Sequence, residues 1–427
     1  MRPGLPIAGK SCIIRQVFRS LERHPVTTAK RSSSLPLVLL SFCGFVLIGA
    51  SGGSWGVLIP SQMAFYHIDK AIIGVFSFLY STGYFLSAGS AGLFTQKLGQ
   101  RRYLIAGIAI FSLGALAYSL RPPSVILALA VNLVFGFGTA VLDAGFNAAI
   151  ASLPRNTKLL NYLHAFYGAG ALIGPLVASA FLVANLAWNA VYLVWCLMAL
   201  PLLLGCVLFL RIPVLESAGE QQAEQHSDSN VLRTALTFGV VWLGALFLFL
   251  YVGVEVSIGN WDYSFSLDTR MLGTLVAGWI ASGYWLGLTL GRFFMGTLAE
   301  WLHLSAARMI YLCLAGIAVG VALVWGFASG WTTALGFCLI GFFLGPLFPT
   351  TIAVIPQLVP ARIVPSAVGF LVGSSVVGGA LFPWLAGALA QAAGLWTLLP
   401  YTLALTALMC VNWLAITHHR REPRPAS

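Results

Sequence analysis

The sequence predicts an all-α membrane protein: twelve transmembrane helices in two pseudo-symmetric six-helix bundles. Three observations carry this expectation: the apolar content, the regular recurrence of runs long enough to cross a bilayer, and glycine patterns that repeat between the two halves of the chain. Of 427 residues, 59% are hydrophobic and 8% are charged, with a mean hydropathy of +0.89. No soluble fold needs that much apolar surface. The net charge of +11 raises the question of nucleic acid, but the basic residues stand in short clusters between apolar runs, with no basic face on a folded domain. No nucleic-acid partner is expected; the clusters report orientation in a membrane.

Runs of about 20 apolar residues suffice to cross hydrocarbon. Twelve are read, at 35–58, 71–94, 103–120, 124–152, 159–183, 187–210, 234–258, 271–295, 307–328, 331–354, 366–391 and 396–417. Each must be helical, because lipid satisfies no backbone amide or carbonyl. With both termini cytoplasmic, the inside segments hold Lys97, Arg101, Arg102, Arg155, Lys158, Arg211, Arg233, Arg308, Arg362 and the basic residues of both tails. The outside segments hold Lys70, Arg121 and Arg270. That asymmetry sets the orientation and supports an even number of spans. The plasma membrane is the expected location, with a vacuolar or other organelle membrane as the alternative.

The long polar connection from Arg211 to Arg233, with Glu216, Glu220, Glu224 and Asp228, falls halfway along the chain and reads as a flexible cytoplasmic linker. The expected organisation is a cytoplasmic tail (1–34), a first six-helix bundle (35–211), the linker (212–232), a second bundle (233–417) and a cytoplasmic tail (418–427). The first 34 residues are basic and precede a span too long for a secretory signal, so a retained tail is read. A mitochondrial presequence, with Ile13, Ile14, Val17, Phe18 and Leu21 opposite Arg15, Arg19 and Arg23, is the alternative. The seven cysteines are scattered singly, with neither metal spacing nor a disulfide framework. Gly136-Phe-Gly138 lacks the strand and helix context of a nucleotide site, so no cofactor, metal or ATPase activity is expected.

Spans 2 and 8 share small residues at i, i+4 spacing: Gly83, Ser87 and Ala91 in one, Gly283, Gly287 and Gly291 in the other. Both rows would let a neighbouring helix approach closely. A shift of about 200 positions brings Gly83 onto Gly287, Ser87 onto Gly291 and Gly92 onto Gly296, and spans 5 and 11 repeat as Gly170-Ala-Leu-Ile-Gly-Pro175 and Gly378-Gly-Ala-Leu-Phe-Pro383. Repeated six-helix units with a solute site between them are a common plan of secondary transporters.

The segment Gly92-Leu-Phe-Thr-Gln-Lys-Leu-Gly-Gln-Arg-Arg102, placed in the loop between spans 2 and 3, resembles the loop signature of the major facilitator superfamily. Lys97, Gly99, Arg101 and Arg102 match it; Gln96 stands where the signature has an aspartate, which weakens the charged latch that the resemblance implies. Within the superfamily, Leu160-Asn-Tyr-Leu-His-Ala-Phe-Tyr-Gly-Ala-Gly170 and Tyr251-Val-Gly-Val-Glu-Val-Ser-Ile-Gly-Asn-Trp261 look like the fucose-permease-like branch and its fungal members. The resemblance implies alternating access, a cavity lined by spans 1, 4, 7 and 10, and, in some members, sugar–proton symport.

Carboxylates inside apolar spans mark transport or proton pathways, and two stand here without an obvious counter-ion, Asp143 and Glu255. Asp143 lies ~18 Å from Arg155 along a helix, near the bilayer midplane, with Asn147 one turn on. Glu255, read as ~10 Å below the outer surface from its distance to Asp262, would take up a proton from outside; the resembling branch carries its glutamate at this place. A structural hydrogen bond holding an unwound Gly253–Gly259 region is the alternative. Asn260 and Trp261 would bond and stack on a polar ring, or Trp261 would anchor at the interface. Asn147, Tyr251, Tyr167 and His164 complete the solute-binding candidates. Arg292, with Glu300 two turns on, reads as a structural pair or gate, together with the signature residues Gly92, Lys97, Gly99, Arg101 and Arg102. Pro346, Pro349, Pro356, Pro175 and Pro383 would kink or loosen helices.

These readings converge on a secondary transporter, not an enzyme, whose partners are a small organic solute, of which a sugar is the leading class, protons, and membrane lipid. An exporter of a hydrophobic secondary metabolite, walled by Phe135, Phe137, Phe342 and Phe343, and a non-transporting solute sensor are the alternatives.

Overall fold

The protein's structure, a computed structural model, describes residues 35–153, 156–210 and 229–419. The expected tails and the body of the linker lie outside these residues. Among the described residues all regular structure is helical, and from Pro36 onward they form one compact unit. The first bundle is α1 (Leu35–Tyr66), α2 (Lys70–Leu98), α3 (Gln100–Ser119), α4 (Val125–Ala151), α5 (Asn156–Val183) and α6 (Asn189–Phe209). A short helix, Ser229–Ala235, leads into the second: α7 (Gly239–Asp268), α8 (Thr274–Trp301), α9 (Ala306–Gly326), α10 (Gly330–Leu344, continuing as Leu347–Val354), α11 (Val364–Ala393) and α12 (Leu398–His419).

Eleven of the spans are long and apolar enough to cross a membrane by length and composition. The helix outside that set is α8, whose hydropathy is diluted by glycines and by Tyr284, Trp285 and Arg292. The protein is a multi-pass membrane protein of twelve spanning helices. Packing repeats between its halves: α2 on α4 and α8 on α10, α3 on α4 and α9 on α10, α3 on α6 and α9 on α12. The close approaches repeat as well. A Cβ on Gly83 would strike the backbone of Leu133, and one on Gly287 the backbone of Cys338. Gly170 sits on Val46 as Gly378 sits on Phe249. Glycine is required there because helix backbones touch. Gly283 departs from the expected row, since a Cβ on it would meet nothing.

Several boundaries differ from the sequence reading. The seventh span does not stop at 258; α7 continues to Asp268, and Asn260 to Ser266 are all buried in protein rather than presented to lipid. Their polarity broke the apolar run, but polar side chains facing protein carry no lipid penalty. Gly253–Gly259 is continuous α-helix, so no unwound region needs holding. The signature segment is not a loop: Gly92 to Leu98 complete α2, and Gly99, at φ 75°, is the single residue between α2 and α3. α10 breaks at Gly345 and Pro346, and a 3-10 turn at Ile355–Leu358 contains Pro356, whereas Pro175 and Pro383 lie within unbroken helices.

The bundles meet through α2–α11 and α5–α8, pairs that the pseudo-symmetry exchanges. These contacts concentrate at the face where α1 ends and α2 begins. There Gly74 abuts Trp384, Gly278 abuts Ser179, and Gly56 meets the carbonyl of Gly259; nearer mid-membrane, Gly168 of α5 abuts Thr289 of α8. The Lys70 amide donates to Gln391 Oε1 at 3.1 Å, Lys70 Nζ pairs with Asp268 at 3.7 Å, and Ser282 Oγ donates to the Leu172 carbonyl at 2.9 Å. Toward the other face the same helices diverge: Cβ atoms on Gly89, Gly369 and Gly373 would enter open space, and Leu86, Leu93 and Val372 are exposed. The molecule thus has a closed face and an open face.

Candidate functional site

Between the bundles lies a cavity of about 380 Å³, a volume typical of small-molecule sites. Its walls come from α1, α2, α4, α5 and α6 on one side and α7, α8 and α11 on the other. The resemblance led to an expectation of α1, α4, α7 and α10; α10 contributes no lining residue and packs instead against α8 and α9.

Asp143 projects into the cavity from the second half of α4, a helix capped at its start by Ser124. Its carboxylate accepts from the Tyr84 hydroxyl of α2 and, at 2.8 Å, from Asn147 Nδ2, which also donates to the Asp143 carbonyl. Asn147 therefore orients Asp143 and does not itself line the cavity. His164 does line it, with its ring edge-on to Phe45 at 5.7 Å, and it lies within electrostatic reach of Asp143 and Arg292.

Glu255 lies near the middle of α7, ~20 Å along the helix from Asp268, not near the outer surface as expected. The reason is the extra length of α7 beyond Asp262. Nor is it without a counter-ion: Arg292 Nη2 of α8 pairs with Glu255 Oε1 at 3.0 Å, and Tyr284 Oη donates to the Glu255 carbonyl at 2.8 Å. Arg292 thus finds its partner across the helix pair and not in Glu300, which is exposed near the end of α8. Tyr167 of α5 lines the cavity and feels Asp143, Glu255 and Arg292 together.

The floor of the cavity, toward the closed face, is tied by Ser77. Its hydroxyl accepts from Trp55 Nε1 at 3.2 Å and from Asn260 Nδ2 at 3.1 Å, joining α1, α2 and α7. Trp261 and Tyr251 are outside the cavity. Trp261 is 1% exposed and donates from Nε1 to the Pro383 carbonyl at 3.0 Å, so α11 occupies the ring that was read as a stacking platform. Tyr251 packs its ring near Phe348 of α10. Of the phenylalanines read as an apolar wall, Phe135 reaches the cavity, while Phe342 and Phe343 pack edge-on against each other. Arg101 donates to the Val207 carbonyl, tying α3 to α6 inside the first bundle; Gly92, Lys97, Gly99 and Arg102 lie at the open face away from the cavity.

Sequence reasoning passed over several hydroxyls set in a mainly apolar wall: Tyr80, Ser81 and Tyr84 on α2, Thr139 on α4, and Tyr192 on α6, along with Trp285 on α8. Tyr80 and Tyr84 recur one turn apart in an apolar span, a signal that was available. The arrangement can hold a solute with several hydroxyl groups between aromatic faces and can bring a proton to either of two carboxylates set in different bundles.

Comparison with known proteins agrees with this architecture. The chain is 26% identical over 420 residues to Bypass of stop codon protein 6 of Saccharomyces cerevisiae, covering 89% of this chain and 83% of that protein. It is 23% identical over 378 residues to the L-fucose-proton symporter of Escherichia coli, covering 80% and 84%. Its fold matches the crystal structure of the nucleoside transporter NupG with a TM-score of 0.72 at 17% identity, covering 91% of this chain and 99% of that one. The model of the Major Facilitator Superfamily matches residues 40–273 and 262–427, and the chain accordingly belongs to the Major Facilitator Superfamily.

Proposed function

We propose that this protein carries a small polar solute, of the sugar class, across a membrane together with protons, by exposing the central cavity to one face at a time. The observation that carries the reading is the Glu255–Arg292 pair at 3.0 Å on the cavity wall. A proton arriving on Glu255 dissolves the pair and frees the guanidinium, so proton binding and cavity electrostatics change together. Asp143, held by Tyr84 and Asn147, supplies a second acid–base group from the other bundle. Similarity to a sugar–proton symporter over most of both chains supports the solute class. Hydroxyls and amides spaced along an otherwise apolar wall, with Trp55 and Trp285 among it, suit a ring with apolar faces and polar edges.

The open face is the cytoplasmic one in this proposal, because Lys97, Arg101, Arg102 and Arg308 lie on it while Lys70, Arg121 and Arg270 lie on the other. The halves 35–211 and 233–417 act as two rocking bodies joined by the linker 212–232, and the plasma membrane is the proposed location. Purified protein in proteoliposomes tests the reading with a panel of labelled hexoses, pentoses and polyols, with and without an inward proton gradient. Uphill accumulation that collapses with a protonophore supports it. Gradient-independent equilibration, or no flux of any member alongside tight binding, sinks proton coupling or transport respectively.

A further inference from the structure

α7 carries a second buried carboxyl group that the scheme above leaves unused. Asp262 is 0% exposed, and its carboxyl oxygens have no side-chain partner; the donor within reach is the backbone amide of Tyr263. It follows Glu255 by two helical turns, so both project from the same side of α7, ~10 Å apart along the axis. One turn before Asp262 stands Gly259, where α7 touches Gly56 of α1 and the Trp285 ring of α8. Asp262 therefore lies just beyond the seal, on the closed-face side of the cavity. Tyr284 of α8, fully buried, lies within electrostatic reach of both carboxyl groups. Trp285 Nε1 of α8 is buried without a partner, and Tyr251 of α7 lies within reach of the Glu255–Arg292 pair.

The elements packed on α7 bring no cation to Asp262. Neither α10 nor α11 contains an acidic, basic or histidine residue, and the titratable group that α10 offers is the Cys338 thiol. α12 carries Tyr401, bonded to the Phe382 carbonyl, then Cys410 and, at its far end, His418. On α8, Arg292 is paired with Glu255 and Glu300 lies near the opposite end. α1 contributes no charge, with Cys43 and Tyr66 toward its ends. On α7 itself and just after it, Asp268 pairs with Lys70, and Arg270 donates to the Val324 carbonyl. An unpaired carboxylate at such a place costs several kcal/mol, whereas a carboxylic acid costs far less.

We propose that Asp262 is a second proton station of the transport cycle: its carboxyl group keeps its proton while the closed face is sealed, and gives it to water when the bundles part there. Two stations on one side of one helix then lead protons from that face to Glu255. The inference rests on the proton-coupled reading above, but its test needs no solute, so the two stand or fall separately.

Infrared spectroscopy of the full chain in nanodiscs at neutral pH reads the C=O stretch of protonated carboxyl groups. The wild type and Glu255→Gln should both show a band that disappears in Asp262→Asn and moves in Asp262→Glu. Asn is a neutral isostere and spares the fold; Glu serves as the second variant. The band should also be lost in Gly74→Trp and in Gly278→Trp, two independent wedges that drive α2 from Trp384 and α8 from Ser179. Absence of the band from wild type, its survival in Asp262→Asn, or full intensity in both wedged proteins would overturn the proposal.

Discussion

Glu255→Gln is the perturbation whose size the geometry fixes best. Two unit charges 3.0 Å apart attract by roughly 5 to 6 kcal/mol at an effective dielectric near 20. Arg292 retains 32% side-chain exposure against 13% for Glu255, so water takes over part of this interaction when the partner is lost. About half, 2 to 3 kcal/mol, is the expected coupling. Glutamine leaves the guanidinium facing a neutral amide. Melting of the purified protein should fall by about 2 to 3 °C, at about 1 °C per kcal/mol for a chain of 427 residues. Arg292→Gln should cost a similar amount, and the double variant should lose little more than either single one, because no orphan charge remains. In proteoliposomes, a one-unit proton gradient supports about tenfold solute accumulation at one proton per solute. Glu255→Gln should lower this to simple equilibration while retaining solute counterflow, which needs no net proton movement. Undiminished uphill accumulation by Glu255→Gln, or strictly additive losses of stability in the cycle, would refute the reasoning.

Asp143→Asn should preserve the Asn147 and Tyr84 contacts and the melting temperature, yet flatten the pH dependence of uptake; an unchanged pH profile would return Asp143 to a packing role. Trp261→Phe removes the bond to the Pro383 carbonyl at a cost of about 1 kcal/mol, so a lower melting temperature with an unaltered KM is expected. Ser77→Ala takes the acceptor from both Trp55 and Asn260; the floor should loosen, and a cysteine placed at Ser81 should react faster with a membrane-impermeant thiol reagent added from the closed face. Gly287→Leu forces a side chain into the backbone of α10 and should cost several kcal/mol, seen as loss of monodisperse protein.

Eleven of the twelve spans were legible from the length and apolar composition that lipid imposes, and α8 from its place between two of them. The repeat was legible because Gly83 and Gly287, or Gly170 and Gly378, answer a backbone contact that no other residue can make. What the sequence hid follows from the same physics read in reverse. Asn260, Asp262 and Ser266 looked like the end of a span, yet they are walled by protein and never meet lipid. That misplaced Glu255 by nearly two turns and made Asp262 look like a surface residue. The Glu255–Arg292 pair joins positions 37 apart, and nothing local in either segment points to the other. Trp261 had the right residue type beside the cavity, but its direction depends on the packing of α11, a long-range fact that the motif does not encode.

Part of the closed-face seal is glycine against backbone or small side chain: Gly56 on Gly259 and Gly278 on Ser179. Attraction of this kind has almost no reach. Dispersion forfeits a quarter to a half of its strength over a gap of 0.5 to 1 Å, and the gap is too narrow for water to fill. A partly parted seal therefore has neither the contacts of the shut form nor the hydration of the open one. Such a seam behaves as a zip fastener rather than a spring, and its abruptness keeps an ion from slipping past while the solute waits.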